Sequence, residues 1–204
     1  MFAATQRSSF FAVPLTSRLR WLVSLRWLAL LGGLGGGRVA VVAGGGEFAD
    51  TVRAAQGRWR FDDLAAHNMA VLAMAQMAYQ LHALKPTLCL TTSKTDIRRV
   101  LQKGQTALWL PFELQRDQPD AHTNWDSTSD SIALDLARKL NAEQLIVVKS
   151  CAVDPQLSLG QLGEAGIVDR RFAGLSEGVS FPIEILHKSQ TARMRDLLLG
   201  DAPR

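Results

Sequence analysis

The sequence predicts an α/β fold, a three-layer αβα sandwich around a mainly parallel central sheet. Three observations carry this expectation. Short runs such as Arg38-Val-Ala-Val-Val-Ala43 and Leu145-Ile-Val-Val-Lys-Ser150 are apolar without alternation, the pattern of strands buried on both faces. Between such runs lie one-sided apolar stripes of helical length, as from Asp63 to Leu84 and from Ile132 to Asn141. Strands and helices alternate along the chain without an internal repeat, which favours parallel strands joined by crossover helices.

Taken in order, Ser9 to Val13 has strand character, and Leu19 to Leu31 has helical character ended by Gly32-Gly-Leu-Gly-Gly-Gly37. The strand Arg38 to Ala43 runs straight into Gly44-Gly45-Gly46-Glu47 and then a helix from Phe48 to about Gln56. Strand, triple glycine, helix is a phosphate-binding arrangement, because missing side chains let backbone N–H groups approach an anion. The same glycines serve equally as a tight structural turn. Asp62-Asp63 caps a long helix to Leu84, whose apolar face is Leu64, Val71, Met74, Ala75, Ala78 and Leu81. Its methionines read as core, and His67 as a satisfied, partly buried histidine.

Pro86 breaks that helix, and Thr87 to Thr92 follows as a strand. A short helix from Asp96 to Gln102 and a strand from Ala107 to Leu110 lead to a polar loop through His122. Asn124 to Ser131 is rich in short polar groups that cap helices and bind ions. The helix after it returns the chain to the strand ending at Lys149. Short helices around Leu159 to Phe172, a strand from Val179 to Leu186 and a helix or turn from Arg193 to Gly200 complete the chain. In α/β proteins ligands gather beyond the carboxyl ends of strands, beside helix N-termini. Asp126, Asp130 and Lys149 are therefore candidate site residues, against the plainer reading of a helix cap and a surface cation.

Composition excludes several function classes. At 204 residues, with 47% apolar and 21% charged residues, the chain is that of a soluble globular protein of one domain. Net charge is +4 and no basic run carries interleaved aromatics, so a nucleic-acid partner is not expected. Arg18, Arg20 and Arg26 interrupt the apolar stretch from Leu15 to Leu34, and Trp27 to Gly37 is too short to span a bilayer. No membrane segment or signal peptide is expected, and the location expected is cytoplasmic. Cys89 and Cys151 show neither metal-ligand spacing nor a CxxC pair, and each is expected as a buried free thiol.

Three stretches taken together carry a resemblance. They are Val41-Val-Ala-Gly-Gly-Gly-Glu-Phe-Ala-Asp-Thr-Val-Arg53, Ala66-His-Asn-Met-Ala-Val-Leu-Ala-Met74 and Trp125-Asp-Ser-Thr-Ser-Asp-Ser-Ile-Ala133. Their ordered set resembles the amino acid kinase family, the aspartate/glutamate/uridylate kinase superfamily. Within it the likeness is nearest to the branch that phosphorylates an aminomethylfuran phosphate in methanofuran and tetrahydromethanopterin-linked one-carbon cofactor synthesis. The likeness implies ATP with Mg²⁺ and transfer of a phosphoryl group to a small-molecule phosphate or carboxylate acceptor. It also implies a homo-oligomer. In that reading Gly44, Gly45, Gly46 and Ser150 bind the nucleotide, Asp130 and Lys149 are catalytic, and Arg53 and Asp126 contact the acceptor. Asp130 matches the family's organising aspartate, which orients cationic side chains. No metal site built from protein ligands alone is implied.

The chain departs from the family pattern at its start. Relatives end their first strand in Lys-x-Gly-Gly-Ser, whose lysine meets the migrating phosphoryl group, and no such motif stands here. Ser8-Ser-Phe-Phe-Ala-Val-Pro14 has neither lysine nor glycine, and Arg18 or Arg20 would have to supply the charge. Residues 1–37 are therefore expected as a divergent segment with an altered or missing first strand, ahead of a kinase-like domain over 38–204. The competing expectation is a non-catalytic relative that binds nucleotide or an oxyanion.

Overall fold

The computed structural model describes residues 9–13, 18–121 and 123–200, so residues 1–8, 14–17, 122 and 201–204 lie outside the described residues. The elements are β1 (Ser9–Val13), α1 (Arg18–Leu34), β2 (Val39–Ala43), α2 (Gly46–Trp59) and α3 (Asp63–Leu84). There follow β3 (Leu88–Thr91), α4 (Lys94–Gln102), β4 (Thr106–Trp109) and a 3-10 turn at Phe112–Leu114. The chain continues as α5 (Ser129–Leu140), β5 (Gln144–Lys149), α6 (Leu159–Glu164), α7 (Arg170–Ser176), β6 (Ile183–His187) and α8 (Thr191–Leu199).

The strands form one six-stranded sheet in the order β3-β4-β2-β1-β5-β6, and every pairing is parallel. The expected αβα sandwich is the fold. The first strand is altered in sequence but present: β1 stands inside the sheet, with Val13 beside Ala43 and Ala12 beside Val147. That places the carboxyl ends of β2 and β5 on either side of β1. At the usual strand spacing they are roughly 10 Å apart.

Alternation along each strand separates the two cores. Val39, Val41 and Ala43 of β2 face a layer made by α1, α3 and α8, together with Trp27, Leu31, Leu81 and Met194. Ala40 and Val42 face the opposite layer, with Ile97 of α4, Leu134 and Leu136 of α5, and Phe172 of α7. All five residues of β2 are buried, as a strand covered on both faces requires. The Trp27 indole N–H donates to the Lys188 carbonyl at 2.7 Å, tying α1 to the far end of β6.

Two boundaries differ from the sequence expectation for physical reasons. The last strand begins at Ile183, not Val179, because Pro182 has no N–H for the ladder; its carbonyl still accepts from Leu145 at 3.0 Å. The helix α1 does not stop at Gly32 but runs to Leu34. A Cβ on Gly32 would come within 2.5 Å of the Thr87 hydroxyl, and one on Gly36 within 2.3 Å of the Gly104 carbonyl oxygen. The glycine run thus lets α1 and its exit press against the chain entering β3 and β4. Gly33, by contrast, would place a Cβ with nothing inside 4 Å. Gly36→Ala is therefore expected to destabilise by about 1–3 kcal/mol, and Gly33→Ala, exposed in the last turn of α1, to stabilise by up to about 1 kcal/mol. Urea denaturation of the two variants checks the contrast.

Candidate active site

The end of β2 and the start of α2 make one wall of a cleft. Gly46 has φ 53°, a left-handed conformation that glycine adopts without strain, and it turns the strand directly into the helix. Gly45 occupies the N-cap position, so no side chain caps α2 and the first-turn N–H groups have no side-chain acceptor. The glycine at 45 has a packing reason as well, since its Cβ would lie 2.5 Å from that of Ala49. An uncapped helix N-terminus at a strand end attracts anions through its N–H groups and its dipole.

The end of β5 makes the facing wall. Lys149 is its last residue, and its Nζ donates to Asp130 Oδ2 at 2.5 Å. The pair is nearly closed from water, with side chains 13% and 5% exposed. Asp130 lies in the first turn of α5, and the same carboxylate oxygen also accepts from the Asp169 backbone N–H at 3.2 Å. Burial raises the Asp130 carboxyl above its ordinary value of 3.8, against the opposing pull of the Lys149 charge. Because the folded value lies above the unfolded one, the stability this carboxyl contributes is complete below pH 3.8 and is lost as pH rises through the raised value. The stability of the natural chain should therefore fall relative to Asp130→Asn as pH is raised from below 3.8 to neutrality. A natural chain that gains on the variant over that range would mean the Lys149 attraction outweighs burial.

Gly44, Gly45, Gly46, Arg53, Lys149 and Ser150 all line one cleft of about 530 Å³ between the two walls. Asp130 stands directly behind Lys149. Arg53 lies over the Trp125 ring, 4.2 Å from its centre, in the cation–π position. The Trp125 indole N–H donates to Gln56 at 2.6 Å, and Gln56 donates to Asp63 at 2.8 Å, so α2, α3 and the loop before α5 are cross-linked at the cleft wall. Asp126 is not among the lining residues. Its carboxylate is half-exposed and 3.6 Å from Arg170, and its carbonyl accepts from the Arg171 N–H at the start of α7. His67 lines the cleft and is satisfied as expected, Nε2 standing 2.9 Å from the Leu114 carbonyl. Cys89 and Cys151 are free thiols, but neither is buried: Cys89 is half-buried and Cys151 exposed at the cleft. Cys151 lies two residues beyond the end of β5, past the run that is covered on both faces.

The residue that sequence reasoning missed is Asp169. Its carboxylate accepts from the N–H and hydroxyl of Thr128 at 2.8 and 3.1 Å, and from the N–H and hydroxyl of Ser131 at 3.0 and 2.5 Å. It also accepts from the Phe172 N–H at 2.9 Å. One buried carboxylate thus caps α5 and α7 together, while its own N–H holds Asp130. The signal available in sequence was local only: an aspartate three residues before Phe172 at a helix start.

Chemically, the cleft offers an anion two attractions from opposite sides: the N–H groups at the start of α2, which no side chain caps, and the Lys149 ammonium. A polyphosphate fits these residues. Among the described residues no group of three or more His, Cys, Asp or Glu could hold a metal ion, so a Mg²⁺ ion here would rely on phosphate oxygens for much of its coordination. The side chains of Arg18 and Arg20 lie outside the described residues. No helix among the described residues is long and apolar enough to cross a membrane.

Comparison with known proteins agrees with this geometry. No protein-family model matches the chain. The curated [5-(aminomethyl)furan-3-yl]methyl phosphate kinase of Methanocaldococcus jannaschii is 24% identical over 110 residues, 54% of this chain and 50% of that protein. The match thus spans about half the length of the relative. Among solved structures, UMP kinase from Ureaplasma parvum superposes with a TM-score of 0.71 at 12% identity, covering 97% of this chain and 96% of that one. Isopentenyl phosphate kinase gives 0.61 at 11% identity, covering 95% and 97%. The chain has the α/β fold of these kinases over nearly its whole length.

Proposed function

We propose that this chain, which has the amino acid kinase fold and whose comparisons support a member of that family, is a small-molecule kinase. It transfers a phosphoryl group from ATP to a phosphate or carboxylate acceptor. One observation carries the reading: the uncapped glycine turn after β2 and Lys149 at the end of β5, held by Asp130 behind it, line a single cleft. Phosphoryl transfer needs chiefly positioning and neutralisation of charge, and no covalent nucleophile. In this reading the N–H groups of the Gly44–Gly46 turn hold phosphate oxygens and Lys149 neutralises charge on the migrating group. Asp130 keeps the Lys149 ammonium in place and charged. Arg53, stacked on Trp125, presents a guanidinium to the acceptor's anionic group, and Ser150 borders the nucleotide. Asp126 acts through the loop it anchors to α7. Mg²⁺, when bound with ATP, supplies further neutralisation of the phosphates.

The acceptor we favour is a phosphomonoester on a small aminomethylfuran, as in methanofuran-type one-carbon cofactor synthesis, because the curated relative is named for that activity. The test is ³¹P NMR of the chain with ATP, Mg²⁺ and that acceptor, with UMP and aspartate as comparison acceptors. A furan diphosphate resonance distinct from those of the ADP released supports the proposal, and turnover with none of the three would end it. A second reading is favoured by the absence of Lys-x-Gly-Gly-Ser from the chain. In it, the cleft binds a nucleotide or oxyanion without turnover. Thermal stabilisation by ATP without any phosphorylated product would select that reading.

A further inference from the structure

We propose that the chain carries a second ligand site, a cavity beside the cleft that takes a small carboxylate with an apolar body. The cavity measures about 280 Å³ and opens between α3, the end of β4, α5 and α7. Two of its lining residues present buried donors with no partner among the described residues: the indole N–H of Trp109 and the Nε–H of Arg116. Trp109 is 2% exposed, so bulk water does not serve it. Both groups are donors only, and unpaired buried donors are rare enough in folded proteins to call for an explanation.

The neighbouring polar groups are already engaged. His67 stands against the Leu114 carbonyl, Arg138 donates to the Leu175 and Glu177 carbonyls, and Lys139 is 2.6 Å from Asp135. Asp135 and the Ser127 and Ser131 hydroxyls also line the cavity, yet no acceptor among the described residues meets either buried donor. Arg116 is paired with Asp120 at 3.3 Å and Lys139 with Asp135, so Arg138 leaves one positive charge in excess around the cavity, and an anionic acceptor fits better than a neutral one. Leu114, Ile132, Leu134 and Leu175 supply apolar wall, which selects a hydrocarbon body over a bare inorganic ion. A carboxylate has two oxygens for the two N–H groups. His67, Ser127 and Ile132 line both this cavity and the cleft, so an occupant touches the partition between them. The site does not depend on the kinase reading.

The experiment follows the Trp109 indole ¹⁵N–¹H signal of the full chain during titration with 3-methylbutanoate. The signal is assigned by its loss in Trp109→Phe. The site predicts a saturable millimolar shift, weakened about tenfold or more in Arg116→Met. The neutral isostere 3-methylbutanamide should produce no such shift. Trp109→Phe removes part of the buried indole ring as well as the donor, so it serves only to assign the signal; a matching melt of Arg116→Met makes its weakened binding a local effect. Absence of a saturable shift, an equal response to the amide, or a water contact at the indole N–H that persists at saturating carboxylate would each overturn the proposal.

Discussion

Lys149→Met is expected to slow phosphoryl transfer by about a hundredfold or more, the usual loss when a preorganised charge-stabilising group is removed. The same substitution strands a buried carboxylate. Asp130 is 5% exposed and Lys149 is its ion-pair partner at 2.5 Å, so stability should fall by about 3–5 kcal/mol. The two losses have different causes and can be separated. In the double variant Lys149→Met with Asp130→Asn the stranded charge is gone, so much of the stability should return. The rate should not return, because the ammonium that faces the cleft is still missing. Turnover per folded molecule within a few-fold of the natural chain in the double variant would make the pair structural and remove Lys149 from the chemistry.

Asp169→Ala is expected to cost about 3–5 kcal/mol in urea denaturation, close to the largest losses single substitutions cause. The carboxylate accepts hydrogen bonds from Thr128, Ser131 and Phe172, and Ser131 is 2% exposed. Removing it leaves N–H groups of two helix starts without partners, each costing about 1–3 kcal/mol when buried. Asp169→Asn keeps one oxygen and the shape, so it should lose about half as much. Its own N–H still reaches Asp130, which keeps the Lys149 geometry in the asparagine variant. A loss under about 1 kcal/mol for the alanine variant, the size of a single ordinary cap, would contradict the dual-cap role.

What the sequence made legible follows from how local the cause was. The buried run of β2, the glycine turn and the start of α2 are contiguous, so pattern alone located that wall of the cleft. Asp130 and Lys149 are separated by one helix and one strand, and the rule that ligands gather at strand ends brought them together. Asp169 was not legible, because the groups it caps at the start of α5 stand 38 and 41 residues earlier in the chain. Asp126 stood in sequence as an acceptor contact beside Asp130, yet its side chain lies beside Arg170 and is not among the residues lining the cleft. The cavity at Trp109 was equally hidden, since its donors come from a strand end and a loop that read as core and as polar connection. The first strand shows the opposite balance: Ser9 to Val13 is short and has no motif, yet its ladders to β2 and β5 bring the two walls of the cleft to its sides.

Amide hydrogen exchange of the full chain with and without ATP and Mg²⁺ tests the central claim most directly. If the glycine turn and the end of β5 hold one polyphosphate, amides at Gly45 to Phe48 and at Ser150 to Cys151 should gain protection together, at the same nucleotide concentration. Protection confined to one of the two segments, or none at millimolar ATP, would contradict it.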